Sequence, residues 1–261
     1  MSKDGPGPIE RYFQILEAVA ASNDGLTLTQ ITTITDLPKP TAHRLTRALV
    51  EAGALSVDDS WYKTFRIGSR MWRMLYLGQN TDSVRTCAQL VVDDLANELH
   101  ETCYIVRLGR QHIRSIARSA PDQGHRLHVL PGEILPGHAA ASAKAILAFQ
   151  NDALVKQILQ EPLEPLTSRT KTILDDVRAE FESVRSSDFA ICDREIDENI
   201  MAFAAPVHLD TVGTIYSVGL TGPHSRLSQM PTEHWTQALQ QAADRFAKML
   251  QSQPAKDAVE A

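Results

Sequence analysis

Apolar positions near the start of the chain recur with helical spacing and then switch to the alternation of strands. Ile9, Phe13, Leu16 and Val19 or Ala20 fall on one face of a helix. The turn cluster Asn23-Asp24-Gly25 should end it. Thr27 and Gln30 supply the hydroxyl and the amide three residues on that make a capping box. A short second helix therefore begins there, with Leu28, Ile31 and Ile34 as its apolar side, and ends at Thr35-Asp36. A third helix starts near Lys39. Pro40 is accommodated only in its first turn, where no amide donor is needed. Ala42, Leu45 and Leu49 share one side, with Ala48 beside them. Thr41, Arg44 and Arg47 take the other, with His43 at its edge. Gly53 is a natural stop. Ala54–Val57 and Tyr62–Ile67 read as two strands around the turn Asp58-Asp59-Ser60. Three helices and a hairpin within about sixty residues outline a winged helix-turn-helix.

The pattern turns helical again over Ser69–Leu77. Asp82 or Ser83 caps a further helix carrying Val84, Cys87, Val91, Leu95 and Leu99. Beyond it, Cys103–Leu108 and Ile113–Ala117 read as paired strands. Ala139–Phe149 reads as a small-residue helix, and Val155–Leu159 and Ile173–Val184 as helices. Ala190–Cys192, Phe203–Leu209 and Thr214–Leu220 read as strands, and Trp235–Leu250 as a closing amphipathic helix. Strands flanked by helices, with hairpin-type turns, predict an antiparallel α+β domain. The expected division is a DNA-binding domain over 1–69, a helical linker over 70–83, a second domain over 84–253 and a polar tail over 254–261.

Composition sharpens this outline. Of 261 residues, 43% are hydrophobic and 22% charged, as in a globular protein. No apolar run approaches the ~18 residues of a membrane span. The opening Met1–Pro6 stretch lacks the apolar core of a secretory signal, so the expected location is the cytoplasm and no membrane partner is expected. Cys87, Cys103 and Cys192 form no CxxC and read as small buried hydrophobes, so no metal and no cofactor is expected from them. The net charge of −6 masks an asymmetry: residues 1–80 carry nine bases and eight acids, the rest 17 and 24. Between Pro38 and Val50 there are three bases and no acid. The front is locally basic, and the back should repel nucleic acid.

A recognition helix packs one face on its own domain and presents hydrogen-bond donors on the other. Arg44 and Arg47, three apart, lie side by side and can grip guanine bidentately or hold phosphate. Thr41 can reach a phosphate or a base, Lys39 sits where a DNA backbone would pass, and Lys63 and Arg66 can track phosphate from the hairpin. His43 suits DNA contact and local packing equally. Read alone, the two arginines also fit a solvated helix face; the tri-helical setting and the missing acids favour DNA.

Residues 9–78 resemble the N-terminal domain of the IclR family of transcriptional regulators. The resemblance rests on Gly25–Ile31 (GLTLTQI), Leu37–Leu45 (LPKPTAHRL) and Phe65–Gly68 (FRIG). It continues through His138-Ala139 and Lys144-Ala145, through Asp193 and Glu195, through Ala204–Val207, and through Val218–Pro223. It implies a GAF-like effector-binding domain for small organic acids or aromatic metabolites. By position the pocket would be lined by Ala141, Ser142, Asp193, Phe203, Gly219 and Thr221. It further implies a homodimer or tetramer, paired through the N-terminal domains and reading a palindromic double-stranded operator, and control of a catabolic operon rather than catalysis. Gly137 stands where the family has Leu, Ala143 where it has Gly, and Phe189 where it has the Gly that opens the acidic segment. Phe203 and Gly219 stand where some members carry polar side chains, which points to a pocket poor in hydrogen-bonding groups.

The residues themselves leave alternatives open. The helix after Pro136-Gly137 offers free amides and a dipole suited to a carboxylate, or is simply an Ala-rich packing helix. Asp193, Glu195, Asp197 and Glu198 can serve as acid and base, hold a metal, or form a solvated connection. His125 and His128 have metal-like spacing but no clear third ligand. An enzyme built around Asp193 and Glu195 has no nucleophile motif or phosphate loop to support it.

Overall fold

A computed structural model describes residues 7–22, 24–58, 63–78, 81–109, 111–121, 130–210 and 212–252. The chain divides near residue 80 into two compact units, apart from the turn at 210–213.

The first unit holds α1 (Pro8–Ala20), β1 (Leu26–Thr27), α2 (Leu28–Thr35), α3 (Lys39–Glu51), β2 (Leu55–Asp58), β3 (Thr64–Ile67) and α4 (Ser69–Gly78). The strands pair antiparallel in the order β1-β3-β2. This is the winged helix-turn-helix, with one strand more than the apolar pattern suggests. A two-residue strand has no period to read, and β1 exists because Leu26 and Thr27 pair with Phe65 and Thr64. The capping box forms as expected: Gln30 N donates to Thr27 Oγ1 at 3.4 Å and Thr27 N to Gln30 Oε1 at 2.8 Å. The core gathers Ile15, Val19, Leu26, Ile31, Leu37, Ala42, Leu45, Leu49, Ala54 and Leu55.

The face expected of α1 is turned by about a quarter turn. Ile15 and Val19 are its buried residues, with Tyr12 and Leu16 beside them, and Ile9 and Phe13 lie in the open. Ile34 is likewise exposed, leaving Ile31 as the buried anchor of α2. Tyr62, the turn at 59–60, Asn23, His125 and His128 lie outside the described residues.

The second unit begins with α5 (Thr81–Leu99), which buries Val84, Cys87, Val91, Leu95 and Leu99. It continues with β4 (Thr102–Leu108), β5 (Ile113–Ser119), β6 (Ile134–Leu135), α6 (Ala141–Leu147), α7 (Asp152–Ile158) and α8 (Leu174–Ser187). Then come β7 (Ala190–Asp193), β8 (Ile200–Leu209), β9 (Gly213–Pro223), α9 (His224–Leu227) and α10 (Thr232–Ser252). The sheet runs β6-β5-β4-β9-β8-β7; the β6–β5, β5–β4, β4–β9 and β8–β7 pairs are antiparallel. Side chains alternate across it. One face packs on α5 and α10: Tyr216 meets Phe246 edge-on at 5.5 Å between ring centres, and Phe203 stacks on Trp235 at 6.5 Å. The other face receives α6, where Ser217 Oγ donates to the Ser142 carbonyl at 2.8 Å. All three cysteines are buried thiols. Among the described residues no helix is long and apolar enough to cross a membrane.

Candidate functional site

On α3, Ala42, Leu45, Thr46 and Leu49 turn inward, and Thr46 ties its hydroxyl to the Ala42 carbonyl at 2.8 Å. That fixes which side faces out. Lys39, His43, Arg44 and Arg47 stand on the exposed side, and Thr41 is half-buried. Arg44 enters no ion pair among the described residues. Arg47 Nε donates to Glu51 Oε1 at 2.8 Å, but both side chains are open to solvent (74% and 64%), so water screens the pair and phosphate can compete for the guanidinium. Lys63 and Arg66 are exposed at and just before β3. Arg70 at the start of α4 donates to the Ala52 carbonyl at 3.0 Å, closing the end of α3.

The six positions expected to line an effector pocket do not all share a surface. Ala141 and Ser142 on α6 are fully buried against the sheet, and Gly219 and Thr221 on β9 face them from the strand that also carries Ser217. Thr221 Oγ1 donates to the Met201 carbonyl at 3.3 Å. Phe203 leaves this group: it belongs to the opposite face, stacked on Trp235. Asp193 leaves it too. Burial along β7 alternates, so Cys192 is buried on the α6 side and the pleat turns Asp193 to a half-exposed rim. There Asp193 accepts two hydrogen bonds from Arg194, at 2.9 and 3.1 Å, with Arg169 and His224 each 3.3 Å away. The Arg194 guanidinium holds its carboxyl below the usual aspartate range. The residue that closes α8 in the left-handed region is Asp188 (φ 59°).

Glu195 is no solvated connector. Lys144, 1% exposed, donates to Glu195 Oε1 at 2.7 Å and to Glu180 Oε2 at 2.9 Å, and Lys171 also reaches Glu180. Burial alone would lower the Lys144 pKa, but the two carboxylates outweigh it and hold the ammonium above its ordinary value. Burial holds the Glu195 carboxyl above its ordinary value in spite of Lys144. Thr170 Oγ1 caps the Glu195 carbonyl at 2.6 Å, and Thr167 Oγ1 the Arg194 carbonyl at 2.7 Å, so the loop at 167–171 clamps the acidic segment. Among the described residues no group of three or more His, Cys, Asp or Glu side chains is placed to hold a metal.

The start of α6 also differs from expectation. The amides of Ala139 and Ala140 donate to the Pro136 carbonyl at 3.3 and 3.0 Å, and the helix begins only at Ala141. Those two amides are spent within the chain. Gly137 is small because a Cβ there would stand 2.7 Å from Leu159. Gly219 has a more telling role. A Cβ on it would meet the Tyr104 ring at 2.8 Å, so glycine here lets the phenol lie across β9. The Tyr104 hydroxyl comes up to Ser142, whose Oγ still completes no hydrogen bond, and burial raises the phenol pKa. The site therefore gains a hydrogen-bonding group from β4 where β9 lacks one. Tyr104 escapes a sequence reading because an aromatic residue in an apolar strand reads as core. Cys192, whose thiol burial pushes up to about 11, escapes for the same reason.

Residues 8–59 match the family described as IclR helix-turn-helix domain, and residues 79–248 match Bacterial transcriptional regulator IclR C-terminal. The chain is similar to the probable transcriptional regulator SauR of Cupriavidus necator, with 25% identity over 256 residues, 95% of this chain and 98% of that one. It is similar to the Pca regulon regulatory protein of Pseudomonas putida, with 24% identity over 205 residues, 77% of this chain and 68% of that one. Among solved structures, an IclR homologue from Microbacterium hydrocarbonoxydans complexed with 4-hydroxybenzoate aligns with a TM-score of 0.61 at 20% identity, covering 93% of this chain and 98% of that chain. IclR of Thermotoga maritima aligns with a TM-score of 0.60 at 19% identity, with the same coverage. At these identities the two structures establish the fold.

Proposed function

Because the chain belongs to the IclR family of bacterial transcriptional regulators, we propose that it binds a palindromic operator as a homodimer or tetramer through α3 and the wing, and that a small carboxylate alters that binding. The observation that carries the reading is the two-sided α3: one side seals the core, and the other sets Lys39, His43, Arg44 and Arg47 in solvent. Thr41, Lys63 and Arg66 complete the proposed DNA contacts. Residues 1–69 read DNA, 70–83 link, and 84–253 bind the effector. Two recognition helices must meet half-sites about one helical turn apart. An effector that favours one arrangement of the paired subunits shifts operator affinity by the difference in its own affinity for the two arrangements.

A catabolic operon responding to an aromatic acid is the favoured setting. Two relatives support it by what they are called: a Pca regulon regulator, and a homologue crystallised with 4-hydroxybenzoate. Ala141, Ser142, Gly219 and Thr221, with Tyr104 added, form the proposed effector surface. The protein acts in the cytoplasm as a regulator and not as an enzyme.

Genomic footprinting tests the reading. Occupied sites should be inverted repeats upstream of catabolic genes, and Arg44→Ala with Arg47→Ala should erase them while the protein remains folded. Each arginine that neutralises a phosphate should remove about one unit from the slope of log affinity against log salt. Footprints that survive the double substitution overturn the assignment of α3.

A further inference from the structure

Resting on the reading that the second unit takes a small carboxylate, we infer that Arg118 is the cation that grips it. The sheet puts it in place. Arg118 is the register partner of Tyr104, and directly opposed residues of an antiparallel pair project from the same face. Tyr104 lies on the α6 face, with its ring over Gly219 and its hydroxyl at Ser142. The register shift between Ile105 and Val106 adds Ser115 to this group. Three residues apart in a regular strand, Ser115 and Arg118 would face opposite ways. The extra residue in β5 sets Ser115 opposite Val106 and returns it to the face of Arg118.

Three atoms on this face are buried without a hydrogen-bond partner: Ser142 Oγ, Ser115 Oγ and Arg118 Nε. Ser142 is fully buried and Ser115 nearly so. An unsatisfied buried donor is costly, and one on a charged group more so, so such atoms in a native fold ask for an acceptor from outside. Nε is the inner tooth of the guanidinium fork. A carboxylate approaching side-on takes Nε–H and one terminal N–H together, which a neutral acceptor cannot do with equal strength. The acids of the acidic segment lie at the far end of the sheet, beyond β4, β9 and β8, and are held there by Lys144 and Arg194. Arg118 enters no ion pair among the described residues. The ligand is thus an organic acid whose carboxylate meets Arg118 and whose body runs toward Ser142 beside the Tyr104 phenol.

Calorimetry on the full chain tests this with benzoate, 4-hydroxybenzoate and pyruvate, each against its neutral amide, for the wild type, Arg118→Gln and Arg118→Lys. At least one acid should bind the wild type, its amide at least about tenfold more weakly. Arg118→Gln should weaken the acid by about 10- to 100-fold, leave the amide unchanged and so erase the preference, with Arg118→Lys in between. Without ligand, Arg118→Gln should melt no lower than the wild type, because it removes a buried donor that has no partner. An acid that binds wild type and Arg118→Gln alike overturns this assignment alone, as does a ligand-free melting point well below wild type with affinity intact. If none of the three acids binds the wild type, the carboxylate reading fails, and this assignment with it.

Discussion

Removing the Lys144 ammonium is the most severe single change the second unit should register. Lys144 is 1% exposed and its two acceptors, Glu195 and Glu180, come from different segments of the fold. Glu180 keeps Lys171 if Lys144 is truncated. Glu195 does not: its Oε1 loses the 2.7 Å contact, and its Oε2 is already buried without a partner. A carboxylate left so costs about 3–5 kcal/mol when its partner is deleted. For a domain of this size each kcal/mol lowers the melting point by roughly 2–4 °C, so Lys144→Ala should melt roughly 6–20 °C lower at neutral pH. Glu195 already has its carboxyl raised by burial, and without Lys144 the rise is larger. A carboxyl raised in the folded state binds more protons there than in the unfolded chain, so its folded form loses stability as pH rises above the ordinary Glu range. The Lys144→Ala deficit should therefore shrink toward acid pH. Adding Glu195→Leu should recover much of it, because the buried charge goes with the cation. Calorimetric melts from pH 4 to 8 read all of this. A pH-independent loss, or a double variant as poor as the single one, would refute the reasoning.

Two further changes probe other links. Thr27→Ala removes the capping box at the start of α2 and should cost about 0.5–2 kcal/mol, read as a lower denaturant midpoint at unchanged slope. Gly219→Val sets a side chain where Tyr104 lies, with the first carbon 2.8 Å from its ring. Tyr104→Phe lacks the hydroxyl that reaches Ser142 but fits the same space. Gly219→Val should thus abolish binding of any acid found by calorimetry and lower the melting point, while Tyr104→Phe weakens binding with the melting point held. Equal effects from both would show that the phenol only fills space.

The first unit was largely legible because its signals are local. A hydroxyl and an amide three residues apart specify the start of α2. Pro40 is tolerated only near the N-terminus of α3, which sets the phase of every later side chain on that helix. From that phase the outward direction of Arg44 and Arg47 follows without knowledge of the rest of the fold. Where the local signal thins, so does the reading. In α1 apolar residues occupy more than half the circumference, and the periodicity alone cannot choose between a seam through Phe13 and one through Ile15. Contact with α2, α3 and β3 makes the choice.

The second unit yields its strands to the same logic but not its faces, and the site depends on the faces. A strand of period two is undone by a shift of one residue. The resemblance assigns Asp193 to the pocket by position, but the pleat of β7 turns Cys192 inward and leaves Asp193 a rim residue held by Arg194. In β5 the extra residue near Ile116 reverses the relation between Ser115 and Arg118, and only pairing with β4 reveals it. Two of the polar groups on the α6 face are ones a reading by motif passes over: a tyrosine in an apolar strand and an arginine beyond a bulge. Their common feature is an unmet hydrogen bond or a contact across strands. Both are properties of the folded pairing and not of the order of residues, so the sequence could name the family while two of the six positions it grouped, Asp193 and Phe203, fall on other surfaces of the fold.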